Sequence, residues 1–308
     1  MSQQTVPGKL KRRLPLLLII AVVVAGVALS LYYSTAPQLT LTPHVAKIVI
    51  TGTLDYSASS ILGATTGVED YISLIRQAES DPTVRAVILV FDSPGGTVSA
   101  SYDLYTAVKE LARKKVVVSY ARGTMASGAY MAACPSTRIY ASPSALVGSV
   151  GVYTSVLTAE GLLDKLGVKV YTIKSGELKD IGSPYRSMSP EELRVMQEII
   201  DEYFELFKSI VLENRGNVSN EVFTGRPYSP QQALKAGLID GVTTLEEALN
   251  KTKELAGLPP DAPVVELTPP KPGLLTLLFG GSSSRLPLSV PSIVYLAMWP
   301  PPQYIVLP

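Results

Sequence analysis

Two successive passages from an apolar strand, through a glycine-bearing turn, into a helix constrain this chain more than any other feature. Val84–Phe91 (Val-Arg-Ala-Val-Ile-Leu-Val-Phe) is a β-branched, nearly continuous apolar run that leads straight into Asp92-Ser93-Pro94-Gly95-Gly96-Thr97, and a helical pattern follows from Ser99 to Arg113. Lys115-Val116-Val117-Val118-Ser119-Tyr120 repeats the theme and leads into Arg122-Gly123-Thr124-Met125-Ala126-Ser127-Gly128-Ala129-Tyr130-Met131-Ala132-Ala133-Cys134, where Gly123 and Gly128 permit a tight turn. Strands of this kind are buried on both faces, which predicts a mostly parallel sheet joined by crossover helices. In such a sheet a crevice opens beyond the carboxyl ends of the strands. Ser127 would then stand at a helix N-terminus, where unpaired N–H groups can hold a developing oxyanion and small neighbours let a substrate come close. A capping serine would occupy the same position. Gly96 could lend a second N–H beside that of Gly128. A phosphate loop competes poorly, because the glycines lack both the G-K-[ST] ending and the G-x-G-x-x-G spacing.

Composition narrows what could activate Ser127. The chain has one histidine and one cysteine. His44 lies on the tether ahead of the first domain strand, so a Ser-His-Asp triad would require that tether to fold back into the crevice. One histidine and one cysteine cannot assemble an ordinary zinc site, and neither a metal nor a cofactor is expected. Lysine is the remaining familiar base for serine. It must be neutral to act, so its ordinary pKa near 10.4 has to be lowered by an apolar setting. Val168 to Pro184 reads as a strand leading into a loop, and both Lys174 and Lys179 qualify by position. Spacing alone does not choose between them, and either can be an ordinary surface lysine.

The rest of the chain predicts five regions. Residues 1–13 form a polar tail with Lys9, Lys11, Arg12 and Arg13 and no acid. Residues 14–33 predict a transmembrane anchor: Leu14 to Leu31 carries no charge, and about 18–20 helical residues just cross a hydrocarbon core of roughly 30 Å. The basic tail should stay in the cytoplasm and the remainder face outward. A cleaved signal peptide, with Ala28 and Ser30 near the cut, is the competing reading. Residues 34–44 form a tether, 45–257 an α/β domain and 258–308 a proline-rich apolar extension.

Within the domain, Val45–Ile50 reads as a strand, and Thr66 with Glu69 as a capping box for a helix through Ala78. Ser189, Pro190 and Glu192 open the longest helix, running to about Asn214. Ser229 to Ala236 and Thr244 to Ala256 read as capped helices, with Leu238-Ile239-Asp240 as a last strand between them. Cys134 should be a small core residue. In the extension, Gly273–Phe279 and Leu286–Trp299 are too short or too proline-broken for a second span. The stretch Ile293 to Leu307 is expected to dock on an oligomer, on a membrane or near the active-site groove. With 27 basic and 26 acidic residues, no field exists to attract nucleic acid.

Four ordered motifs carry a resemblance. Ser93-Pro94-Gly95-Gly96, Met125-Ala126-Ser127-Gly128-Ala129-Tyr130, Val147-Gly148-Ser149-Val150-Gly151-Val152 and Ile173-Lys174-Ser175-Gly176-Glu177-Leu178-Lys179-Asp180 resemble, in order and spacing, the signal peptide peptidase A family in its half-length form. The likeness covers roughly residues 45 to 278. It implies a fold of the Clp-protease and crotonase superfamily, built from repeated β-β-α units, behind one N-terminal transmembrane helix. It implies Ser127 as nucleophile, Lys179 as general base, Ser149 as the residue orienting the lysine amine, and Gly96 and Gly128 as oxyanion donors. Lys174 matches a position with no catalytic role. The substrates implied are membrane-derived peptides such as cleaved signal peptides. The assembly implied is a homo-oligomeric ring in which Ser and Lys of one site come from adjacent subunits. Two rivals are a stomatin-operon Ser-Lys protease, whose lysine lies nearer its serine, and a non-catalytic crotonase-like membrane scaffold.

Overall fold

Alternation inside the apolar strands decides which layers cover the sheet. In the computed structural model, which describes residues 22–27, 42–56, 66–269 and 296–298, strands β1 (His44–Thr51), β2 (Val84–Ser93) and β4 (Val116–Ala126) lie side by side in parallel. Ala46, Ile48, Ile50, Val87, Leu89, Phe91, Val117 and Ala121 face one core. There they meet α2 (Val68–Ser80), α3 (Val98–Ala112) and the short α4 (Gly128–Ala133). Val45, Ala86, Ile88, Val90, Val118 and Tyr120 face the other, which α8 (Leu245–Leu255) closes through Leu245, Ala248 and Leu249. Each such aliphatic side chain contributes about 1.5–3 kcal/mol on burial, and covering both faces is what a parallel sheet requires.

The sheet orders its strands β7-β6-β4-β2-β1-β9, with β5 (Arg138–Ala141) beside β4 and β8 (Gly241–Val242) beside β5. All of these pairings are parallel except that of β6 (Leu146–Gly148) with β7 (Pro227–Tyr228), so the sheet is mixed. At β4 the sheet forks. Val118–Ala121 pairs with β5, whereas Thr124–Ala126 pairs with β6. The turn expected at Gly123 is instead strand, and β4 runs on to Ala126. A Cβ on Gly123 would stand 2.4 Å from the Asp92 carboxylate, which would have to give way; its Oδ1 accepts from the Thr124 N–H at 2.9 Å.

Helix α6 (Pro190–Arg215) has the predicted reciprocal cap, the Ser189 hydroxyl accepting from the Glu192 N–H and the Glu192 carboxylate from the Ser189 N–H. Thr244 and Glu247 cap α8 in the same way. The α2 cap differs from expectation, because Gly67 precedes the helix and Asp70 accepts from its N–H at 2.9 Å. A side chain at Gly67 would meet the Tyr56 carbonyl at 2.5 Å, so a larger residue cannot take that place. Residues 168–174 are not a strand. They lie in an arm that carries α5 (Glu160–Lys165) and packs no apolar side chain into the core. Leu238–Asp240 leads into β8 rather than forming the strand itself. Past Gly257, β9 (Val264–Leu267) adds an edge strand parallel to β1, in a region whose prolines conceal it. Strand β10 (Leu296–Met298) pairs antiparallel with β3 (Gly95–Thr97).

Residues 22–27 are helical (α1) and belong to a unit, Met1–Leu41, separate from the rest. The remainder of the predicted anchor and most of the tether lie outside the described residues. Among the described residues no helix is long and apolar enough to cross a membrane.

Candidate active site

The carboxyl ends of three neighbouring parallel strands bring the motifs together. Ser93 closes β2 opposite Met125 of β4, and Ala126 closes β4 opposite Gly148 of β6. Ser127 and Ser149 are the next residues on their strands, and both have φ of +52°. With ψ of −122°, Ser127 holds the conformation that glycine prefers at the first corner of a type II′ turn. A non-glycine residue there stores about 1–3 kcal/mol of strain. Two backbone bonds hold it: the Ser127 N–H donates to Gly148 O at 2.7 Å, and the Met131 N–H donates to Ser127 O at 2.9 Å. The chain therefore turns sharply from strand to helix at a serine, and α4 behind it is buried throughout.

Ser127 is 2% exposed and its hydroxyl donates to Gly151 O at 3.3 Å. Ser149 donates from its hydroxyl to Gly225 O at 3.0 Å and from its N–H to Arg226 O at 3.1 Å. Those backbone acceptors come from a loop nearly eighty residues downstream, and a carbonyl leaves no mark on its residue type. This is why the sequence did not point to Gly151, Gly225 or Arg226. Gly128 begins α4, where its N–H lies in the unpaired first turn.

Gly96 is fixed by close approach. Leu54 bridges it from a neighbouring segment, its N–H donating to Gly95 O at 2.8 Å and its carbonyl accepting from Thr97 N–H at 2.9 Å. A Cβ on Gly96 would lie 1.8 Å from the Leu54 carbonyl. Strand β3 also packs on α4, which puts the glycine pair on the same side of the sheet as Ser127. Leu54 is part of the site that the sequence reading missed, since a single leucine after a glycine turn carries no signal.

The two candidate lysines part company. Lys174 donates to the Asp180 carboxylate at 2.6 Å and to Glu177 O at 2.6 Å. Asp180 also pairs with Arg186, which reaches Glu192 at the start of α6. This chain of opposite charges holds the Asp180 carboxyl well below its usual range, first through Arg186 and then Lys174. Arg186 likewise draws the Glu192 carboxyl down to about 2 and is itself pushed further up. The Lys174 amine is thus taken up by Asp180 and by Glu177 O. Lys179 is exposed; its backbone N–H donates to Gly176 O at 3.1 Å, and no side-chain hydrogen bond or ion pair engages its amine among the described residues. Within one chain the structure does not bring Lys179 and Ser127 into contact.

His44 is excluded as a partner by topology. It begins β1 opposite Val84, at the amino ends of the strands, whereas Ser127 lies beyond their carboxyl ends. An eleven-residue β4 alone separates those levels by roughly 35 Å. Cys134 is fully buried in the core, and burial pushes its thiol up to about 12. A cavity of about 570 Å³, lined by Arg85, Arg113, Lys114, Lys115 and Leu255 among others, lies at the same amino end as His44 and plays no part in this site. Among the described residues no cluster of potential ligands could hold a metal ion.

Comparison with known proteins bears on this geometry. Residues 109–259 match peptidase family S49. A protease-named protein of Methanocaldococcus jannaschii is 44% identical over 191 residues, which cover 61% of this chain and 61% of that protein. A protease-named protein of Synechocystis sp. is 40% identical over 204 residues, 64% of this chain and 73% of that protein. A protein of Enterococcus faecium named for signal peptide peptidase is 34% identical over 202 residues, 64% of this chain and 58% of that protein. The chain thus spans less than two thirds of the archaeal and enterococcal relatives.

Proposed function

The chain belongs to peptidase family S49, and we propose that it is a serine endopeptidase in which Ser127 is the nucleophile and Lys179 the general base. The observation that carries this reading is the strained corner at Ser127. The next residue, Gly128, begins α4 with its N–H in the unpaired first turn, and β3 packs on that helix, which supports a reading in which both glycines serve a tetrahedral oxyanion. In the proposed cycle, neutral Lys179 takes the proton as Ser127 Oγ bonds to the peptide carbonyl carbon, and the carbonyl oxygen becomes an anion held by the N–H groups of Gly96 and Gly128. The C–N bond then breaks and Lys179 gives its proton to the leaving amine. Lys179 next deprotonates a water that attacks the acyl ester, and Ser127 regains its proton as the ester bond breaks. Ser149 orients the lysine amine.

Exposure of Lys179 favours a shared site, in which the lysine of one chain serves the serine of the next in a homo-oligomeric ring. The arm that bears it offers the surface for such a ring: Leu157, Leu162, Leu166, Tyr171 and Ile173 are exposed, Tyr171 by 83% and Ile173 by 98%. Burial against a neighbour would also supply the apolar setting a lysine base requires. The substrates we propose are membrane-derived peptides, including signal-peptide remnants, met outside the cytoplasm by a protein anchored through residues 14–33.

Labelling of the detergent-solubilised protein with a fluorophosphonate, read by mass spectrometry, tests the assignment. Modification is expected at Ser127, absent in Ser127→Ala, lost in Lys179→Ala and retained in Lys174→Ala. Full labelling of Lys179→Ala, or labelling lost in Lys174→Ala alone, would overturn the choice of base.

A further inference from the structure

The amino ends of the strands, the opposite end of the sheet from Ser127, carry the cavity of about 570 Å³. That volume lies inside the range of roughly 300–1,000 Å³ usual for small-molecule sites. Arg85 of β2, Arg113 and Lys114 just past α3, Lys115 ahead of β4 and Thr137 ahead of β5 line it, with Leu255 of α8 among its apolar walls. Four of the lining residues are cations and none is an acid. The ordinary account is that α2, α3 and α8 all end here, where cations offset the unpaired carbonyls of a helix C-terminus. It explains Lys115, whose amine donates to Ala78 O at 2.6 Å and to Asp81 O at 2.5 Å. It does not explain the other three. Arg113 and Lys114 reach the carboxylates of Glu110 and Glu79, neither of which lines the cavity. No hydrogen bond or ion pair engages the Arg85 guanidinium among the described residues.

The donors left over point to the kind of ligand. Lys115 commits two of its three N–H groups to carbonyls and keeps one. Thr137 Oγ1 accepts from the Val117 N–H at 3.2 Å, and among the described residues no acceptor takes its own proton. Arg85 keeps its whole planar fork. The cations are also crowded: burial lowers the Lys115 amine from its ordinary range, Asp81 and Glu79 oppose this, and Arg85 adds to the lowering. An anion in the cavity would relieve that crowding. Guanidinium, ammonium and hydroxyl donors around one pocket, with no carboxylate competing for them, match the oxygens of a phosphate.

We propose that this cavity binds a phosphate-bearing anion, the headgroup of an anionic phospholipid, with Arg85 as its principal contact and Arg113, Lys114 and Thr137 around it. The source is chosen from where the chain enters the domain. His44 begins β1 at this same end, and in sequence only residues 34–41, outside the described ones, separate Thr42 from the anchor expected at 14–33. The choice of a lipid over a soluble phosphate rests on that anchor; the phosphate chemistry rests on the cavity alone. A headgroup held here sets which end of the domain faces the bilayer.

Lysine acylation by an N-hydroxysuccinimide ester, read residue by residue by mass spectrometry on the full-length protein in a neutral detergent, tests the site through Lys114. The probes are dihexanoyl phosphatidylglycerol, dihexanoyl phosphatidylcholine and inorganic phosphate, and exposed Lys235, which does not line the cavity, is the control. At four times its dissociation constant the glycerol lipid is expected to slow acylation of Lys114 about fivefold and to leave Lys235 unchanged. The zwitterionic choline lipid should have little effect. Arg85→Gln with Arg113→Gln removes two exposed cations and keeps the reporter. Its affinity for the glycerol lipid should fall about tenfold or more, the factor that one charge-assisted hydrogen bond supports, while buried Cys134 stays unreactive in both proteins. Co-elution of the parent with phosphatidylglycerol nanodiscs after detergent removal tests the anchor separately. Protection by the glycerol lipid that the variant loses, without such co-elution, would uphold the site and remove the anchor reading. Protection by inorganic phosphate at or below the lipid's effective concentration would assign the cavity to a soluble anion and overturn the lipid. No protection by the glycerol lipid, equal slowing of Lys114 and Lys235, or equal protection in parent and variant would overturn the proposal.

Discussion

At the scale of single residues, the candidate site depends on two positions where backbone geometry decides the residue, Ser127 and Gly96. Ser127 holds a glycine conformation, so its replacement separates strain from chemistry. Ser127→Gly is expected to be more stable than Ser127→Ala by about 1 kcal/mol in urea unfolding, while both fail to label, because only glycine relieves the positive φ. Gly96→Ala would force a methyl group 1.8 Å from the Leu54 carbonyl. Because that neighbour is backbone, the strand must move, and a loss of about 1–3 kcal/mol with collapse of labelling is expected. Cys134 provides a control for intactness. Burial raises its thiol to about 12, so the protonated, inert form persists to well above neutral pH. Thiol reagent at pH 8 should leave it unmodified until the protein unfolds, and rapid native-state reaction would contradict the packing of α4. From the sequence, Ser127, Gly96 and Gly128 are expected at the carboxyl ends of neighbouring strands, and the ends of β2 and β4 do lie side by side. The sequence did not show that Gly123 is strand or that Leu54 flanks the site, because both depend on which distant backbone passes within a methyl radius.

Among elements, the arm between β6 and α6 is the part whose role the sequence left most open. Residues 168–174 are rich in β-forming Val, Tyr, Thr and Ile, yet no described sheet edge receives them, and the segment is held by charge instead. Arg186 ties Asp180 to Glu192, the residue that also caps α6, and Glu160 accepts from the Ser187 N–H at 2.8 Å. The cap was legible from Ser189-Pro190-Glu191-Glu192, whereas the pairing of Arg186 with it was not, since a carboxylate serving two partners looks like any other. The folded-state pKa of Glu192 is depressed to about 2 from an ordinary 4.5, and Asp180 is lowered in the same direction. The contribution of this network is therefore complete above the ordinary carboxylate range and is lost as pH falls toward 2. Hydrogen exchange across residues 157–188 should stay slow at pH 5 and accelerate steeply only below about pH 4. Arg186→Met should bring the faster exchange already at pH 7; an unchanged arm in that variant would show that the network does not hold it.

For the whole molecule, the proposed dyad requires an exposed lysine and a buried serine to meet, which a second copy of the chain would allow. The arm leaves Tyr171 and Ile173 exposed among the described residues, and a second copy is the occupant we favour. Ile173→Asp with Tyr171→Asp is expected to reduce the sedimenting species to the single chain and to abolish labelling at Ser127, with Cys134 still protected. A ring of unchanged size would exclude the arm as the contact. What the sequence determined by itself was what is written in local pattern: a mostly parallel α/β sheet, because its central strands are apolar on both faces; the starts of α6 and α8, because capping side chains announce them; and the serine and glycines at the strand ends. Tertiary structure alone decided the rest. It extended β4 past Gly123 and forked the sheet there, gave β1 an edge partner from the proline-rich region, bound Lys174 to Asp180 while no side-chain bond engages the Lys179 amine among the described residues, and laid Leu296–Met298 along Gly95–Thr97. Each of those outcomes is a pairing between backbones or charges remote in sequence, and strand pairing is made by N–H and C=O groups that every residue type but proline carries alike.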